Sequence, residues 1–135
     1  DGDGMGLPII DDFRAEGFPV HSYRGGFPAD DTQAFVNLRA QAWRALARAI
    51  EEKELILDID EDTIDQLVAP RLQTDAIGRV RIESKEDMAK RGVRSPDRAD
   101  ALVMAWHARR NSGLERTLGA WYARPVSSKR AYGRY

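Results

Sequence analysis

Between Thr32 and Lys53 the apolar side chains Phe35, Leu38, Ala42, Leu46 and Ile50 recur every three or four residues. That rhythm predicts one amphipathic helix of about six turns at roughly 3.6 residues per turn. A stripe of that length has to be buried, so the rest of the chain must supply a matching apolar surface. With 135 residues, 42% of them hydrophobic, the chain can form one domain with a real core. It contains no cysteine. Disulfides, thiolate metal sites and a cysteine nucleophile are therefore excluded, packing must hold the fold, and an intracellular compartment is the default expectation.

Mixed elements flank this helix, without an internal repeat. Residues 7–16 read as a short helix stopped by Gly17, and residues 20–23 as extended chain. After the long helix, ELILDID (54–60) reads as a short strand or an extended connection. EDTIDQLVAPRLQ (61–73) reads as a helix with an acidic first turn, ended or kinked by Pro70. The alternation of Val80 and Ile82 with Arg79, Arg81 and Glu83 predicts a half-exposed strand. A short helix is expected over 84–92, with Ser84 as cap and Gly92 as stop, and a last one from Pro96 to about Arg110. The absence of an apolar run of about 18 residues argues against a membrane span.

Lys and Arg total 21 against 22 for Asp and Glu, so any nucleic-acid binding needs a local patch. Residues 112–135 are different: Arg116, Arg124, Lys129, Arg130 and Arg134 stand against Glu115 alone, with Trp121, Tyr122, Tyr132 and Tyr135 among them. Such a segment is either a solvated terminus or a backbone contact for nucleic acid. The expected division is a domain over 1–111 and a basic, aromatic-containing tail over 112–135.

SPDRADAL (95–102) has the composition of a helix start. Ser95 would cap it, Pro96 would take the first helical position, and Asp97 falls in the first turn, where the macrodipole favours an anion. Asp100 lies one turn later on the same side. It borders Val103, Met104 and His107 at the edge of a stripe formed by Leu102, Val103 and Trp106. A carboxylate there loses solvation and calls for a metal ion or for a salt bridge to a neighbouring Arg. The opening DGDGMG admits three readings. Asp1, Asp3, Gly6 and Asp12 match parts of a calcium loop, although Met5 and Pro8 break it. The glycines suit a phosphate cradle, without the Lys and Ser or Thr of a P-loop. Alternatively, an acid at a strand's end precedes a Gly turn into the next helix. His21 and His107 read as structural or exposed, and Trp43 and Trp106 as core.

The segments DGDGMGLPIIDDF, VNLRAQAW and GRVRIESKEDMAKRGVRSPDRADALVMA together resemble the C-terminal nuclease domain of bacteriophage terminase large subunits, the DNA-packaging motors. The resemblance covers most of residues 1–110, and ESKEDMAKRG ahead of SPDRADAL is its most specific part. Such domains are similar to ribonuclease-H-like enzymes, Holliday-junction resolvases among them. The implied fold is α/β, a ribonuclease-H-like mixed sheet flanked by helices, here lacking its N-terminal strands. The implied site is an acid cluster holding two divalent cations, Mg²⁺ or Mn²⁺. By position Asp1 matches the middle acid, with Asp3 as the weaker alternative, and Asp100 matches the final-helix acid with Asp97 beside it. The first-strand acid would lie upstream of Asp1.

The activity so implied is endonucleolytic hydrolysis of concatemeric double-stranded DNA by a two-metal mechanism. Lys85, Lys90, Arg91, Arg94 and Arg98 are the expected phosphate contacts. The implied partners are double-stranded DNA, the terminase small subunit, the portal protein and the motor's ATPase domain, in the cytoplasm of the bacterial host and away from membranes. The rival expectation is a non-catalytic docking or DNA-binding fragment of the motor, should the upstream acid be indispensable.

Overall fold

A computed structural model of the chain describes residues 6–18 and 20–111. Asp1, Asp3 and the tail over 112–135 lie outside the described residues. The first element, α1 (Gly6–Ala15), gives way at Gly17, whose φ of +83° is a left-handed conformation that residues with a Cβ rarely adopt.

The long helix α2 runs over Leu38–Glu51, shorter than its apolar rhythm predicts. Residues 32–37 are claimed instead by a strand far along the chain. Val36 N donates to Val80 O at 2.9 Å, Val80 N donates to Ala34 O at 2.7 Å, and Phe35 bridges Val80 in parallel. The Asn37 side chain then accepts from Ala40 N at 2.9 Å and sets the helix start. The buried face is also rotated from the expected one: Trp43 and Ala49 point inward with Ala42 and Leu46, while Ile50 is exposed.

Residues 55–60 are an extended connection without an assigned strand. It ends at Asp60, which caps α3 (Glu61–Val68) by accepting from Thr63 N at 2.8 Å. Pro70 stops this helix outright, so Leu72–Thr74 forms β1 where the sequence pattern continues a helix. Strand β1 pairs antiparallel with β2 (Val80–Ile82) in the register Leu72↔Ile82, Gln73↔Arg81 and Thr74↔Val80. Helix α4 (Lys85–Lys90) is capped by Ser84 and followed by Gly92 at φ +74°, as the sequence predicts.

Helix α5 (Asp97–Asn111) begins one residue after Pro96. Ser95 does not cap it by accepting from the backbone; its hydroxyl donates to Asp97 Oδ1 at 2.6 Å. The first-turn N–H of Arg98 is satisfied from α3, by Gln66 Oε1 at 2.9 Å. The result is a mixed α/β arrangement in which a two-stranded antiparallel sheet is flanked by helices. No helix among the described residues is long and apolar enough to cross a membrane.

The core lies between α2 and α5. Ala42, Trp43, Leu46 and Ala49 of the first helix meet Ala99, Val103 and Trp106 of the second. Alanines on both sides permit a close approach of the two axes, and the two indoles fill the remaining volume. Strand β2 also packs on α2, and α3 packs on α5.

One buried charge fixes the corner between β2 and α4. Glu83 is 2% exposed. Its Oε1 accepts from Arg91 Nε at 2.7 Å and its Oε2 from Arg91 Nη2 at 2.6 Å and from Arg71 N at 3.0 Å. This two-pronged pairing, the strongest geometry for a guanidinium and a carboxylate, holds the Glu83 carboxyl below its ordinary value, with Arg91 as the main cause. A depressed carboxylate contributes stability above the unfolded value of about 4.5 and loses it as pH falls. Glu83→Gln is therefore expected to lower the midpoint of thermal unfolding at pH 7 by several degrees and by much less near pH 3, as read by circular dichroism melts.

Candidate active site

Helix α5 presents two acids one turn apart, and the two differ in surroundings. The Asp97 side chain is exposed, whereas that of Asp100 keeps only 16% of its surface in solvent. Ala99, next to Asp100, is fully buried against α2, and this anchors the acid at the rim of the core. Both carboxylates converge on one ammonium. Lys85, the first residue of α4, places Nζ 3.0 Å from Asp100 Oδ2 and 3.4 Å from Asp97 Oδ1. On the other side, Arg39 Nε reaches Asp100 Oδ1 at 3.4 Å.

The electrostatics follow the contacts. Partial burial alone would lower the Lys85 ammonium, but hydrogen bonds and charges of Asp100, then of Asp97, outweigh it and hold the group above the ordinary lysine range. The Asp97 carboxyl is held down first by the Ser95 hydroxyl and then by Lys85. His107 is pushed down, chiefly by burial; its ring stands edge-on to Tyr23 with centroids 5.3 Å apart.

These groups open into a groove of about 740 Å³, lined by Asn37, Arg39, Ser84, Lys85, Asp97 and Asp100 together with the turn at Gly25 and Gly26. The donors facing it suit a hard divalent cation: they are carboxylate oxygens, and an ammonium already marks where they converge. Among the described residues no group of three or more His, Cys, Asp or Glu side chains is disposed to hold a metal. Glu86 adds a third carboxylate to the groove lining, and Asp1 and Asp3 lie outside the described residues.

The remaining sequence candidates are dispersed. Lys90 pairs with Asp87 at 2.7 Å, and Arg91 is committed to Glu83. Arg98 pairs with Asp60 across 38 residues at 3.0 Å, and Arg94 is exposed. Of the five basic residues singled out from the sequence, Lys85 is the one that touches the acids. Arg39 was missed as an individual residue. Its signal was the spacing to Trp43, four residues on, which sets a cation at the edge of the buried face of α2.

No family model and no curated protein matches the chain. Solved structures do. The chain is similar to the nuclease domain of the large terminase subunit gp2 of bacterial virus Sf6, with a TM-score of 0.54. A lysine-to-alanine variant of that domain is similar at 0.61 with manganese and at 0.58 with calcium. The fold is that of this nuclease domain. Identity is 24% in all three cases, over 79% of this chain and 63% of the other. The chain thus spans less than two thirds of the terminase domain it matches.

The hold on Asp97 can be measured. Ser95→Ala and Lys85→Ala are each expected to raise the Asp97 carboxyl toward the ordinary 3.8. Side-chain carboxyl ¹³C shifts followed against pH give both values; no change in either variant contradicts the geometry described.

Proposed function

We propose that the groove is part of a divalent-metal-dependent DNA endonuclease site belonging to a viral DNA-packaging motor. One observation carries the reading: Asp97 and Asp100 of the last helix converge on a single cation, within a fold shared with the gp2 nuclease domain. Asp100 would hold metal through Oδ2 and Asp97 through Oδ1, with Asp1, or alternatively Asp3, adding a carboxylate from the segment before α1. Two ions, Mg²⁺ or Mn²⁺, are proposed. When bound, they supply the charge that activates an attacking water and steadies the leaving oxygen of a phosphodiester.

The chain's own residues then divide the remaining work. Asp100, shielded from solvent and fixed on α5, offers oxygen ligands that need little reorganisation. Lys85 gives up its place between the acids and turns its charge toward a phosphate. Lys90 and Arg94, both exposed, add non-specific attraction for the duplex backbone. Concatemeric double-stranded DNA is the proposed substrate. The terminase small subunit, the portal and the motor ATPase domain are the proposed partners, in the cytoplasm of a bacterial host. We assign the nuclease domain to residues 1–111, followed by the basic, aromatic-containing tail 112–135. The ion pairs of Asp97 and Asp100 with Lys85 and Arg39, which balance the acids without a metal, favour a second reading, a docking or DNA-binding element of the motor without cleavage of its own.

Conversion of supercoiled plasmid to nicked and linear forms with Mn²⁺ separates the two. Cleavage by the chain is expected, with Asp100→Asn reducing it by about 100-fold or more, since removing even an outer partner of a metal ligand costs about 10- to 100-fold. Equal cleavage by chain and variant rejects Asp100 as a ligand. If a version extended upstream by an acid-bearing strand also folds and binds plasmid without cutting it, the docking reading takes over.

A further inference from the structure

Arg39 is the second residue of α2 and touches three parts of the fold at once. Its Nη1 donates to the carbonyl oxygen of Glu83, at the end of β2, at 2.9 Å. Its Nε reaches Asp100 Oδ1 on α5 at 3.4 Å. The guanidinium carbon lies 5.6 Å from the centre of the Trp43 ring. The backbone is fixed as well, since Arg39 N donates to Gly25 O at 2.9 Å. Gly25 packs closely here: a Cβ there would stand 3.3 Å from Arg39 Cβ, a tight contact, and 3.4 Å from the Tyr23 ring.

This arrangement is a poor choice for stability alone. The Arg39 side chain is only 18% exposed, and its Nη2 is buried without a hydrogen-bond partner among the described residues. A buried donor left unpaired is costly, and an apolar side chain of similar volume against Trp43 would avoid the cost. What Arg39 supplies in return is control of one carboxylate. With Oδ1 turned to the guanidinium, Asp100 offers Oδ2 to the groove, where Lys85 meets it.

We propose that Arg39 is the positioning and specificity-determining residue of the acidic site, restricting Asp100 to one-oxygen coordination and so favouring small octahedral cations over calcium. The inference rests on the metal-site reading above. Mg²⁺ and Mn²⁺ suit single oxygens in a regular octahedron, whereas Ca²⁺ readily takes both oxygens of a carboxylate in a larger, irregular shell. Freed from Arg39, Asp100 can rotate and offer both. Loss of a nearby positive charge acts differently, because it strengthens binding of every divalent cation alike and leaves their ratio unchanged.

The test is calorimetric titration of the full chain, Arg39→Gln, Arg39→Lys and Asp100→Asn with Mn²⁺ and, separately, with Ca²⁺, with folding checked by circular dichroism. The expected result is that Asp100→Asn abolishes Mn²⁺ binding while Arg39→Gln lowers the ratio of Mn²⁺ to Ca²⁺ affinity by about 10- to 100-fold, the range seen when an outer partner of a ligand is removed. Arg39→Lys keeps the charge but loses the rigid fork that spans Glu83 and Asp100. It should lower the ratio too, and it provides the comparison if Arg39→Gln unfolds. If Asp100→Asn loses Mn²⁺ and neither Arg39 variant changes the ratio, the role of Arg39 is refuted and the metal site stands. If the parent chain binds neither ion, or binds both as Asp100→Asn does, the metal-site reading falls and the inference with it.

Discussion

The contact between α2 and α5 is the constraint on which the groove depends. Ala42, Trp43, Leu46 and Ala49 meet Ala99, Val103 and Trp106 with little bulk between the backbones. That approach is what brings Arg39 and Asp100, 61 residues apart in sequence, within reach of each other. A larger side chain at Ala99 would separate the helices and the charged groups together. Core and site are therefore a single packing problem, with the apolar half solved a residue away from the polar half.

A second constraint joins the first. The buried Glu83–Arg91 pair ties the end of β2 to the end of α4, and the Glu83 carbonyl is also the acceptor for Arg39. Lys85 starts its helix two residues beyond. The position of the ammonium between Asp97 and Asp100 is thus set by a carboxylate that never faces the groove. Residues that determine the site's geometry lie mostly outside its lining.

Local chemistry was the legible part of the sequence. The β2 alternation, the Ser84 cap, the Gly92 stop and the opening helix all depend on residues within a few positions of each other, and the structure agrees there. Reading failed where a distant partner decided. The apolar rhythm of Phe35 and Leu38 continued a helix that Val80 ended by pulling residues 34–36 into backbone pairing. Ser95 has a capping side chain, yet Gln66 of α3 reached the first-turn N–H of Arg98 and left the hydroxyl to Asp97. The acids followed the same rule. Spacing alone put Asp97 and Asp100 on one side of α5, whereas their shared partner Lys85 and the clamp at Arg39 come from α4 and α2. Spacing along one helix carries no record of what the fold folds against it.

The long separation between α2 and α5 also has a consequence during synthesis. A ribosome releases α2 some 50 residues before Ala99 and Val103 emerge, so through that interval Trp43 and Leu46 have no native surface to cover them. The hairpin and α4 can form in the meantime from local contacts, but closing the core waits for one late helix. Chaperone demand should peak in that window and end when the strand-to-helix corner and the two tryptophans lock together.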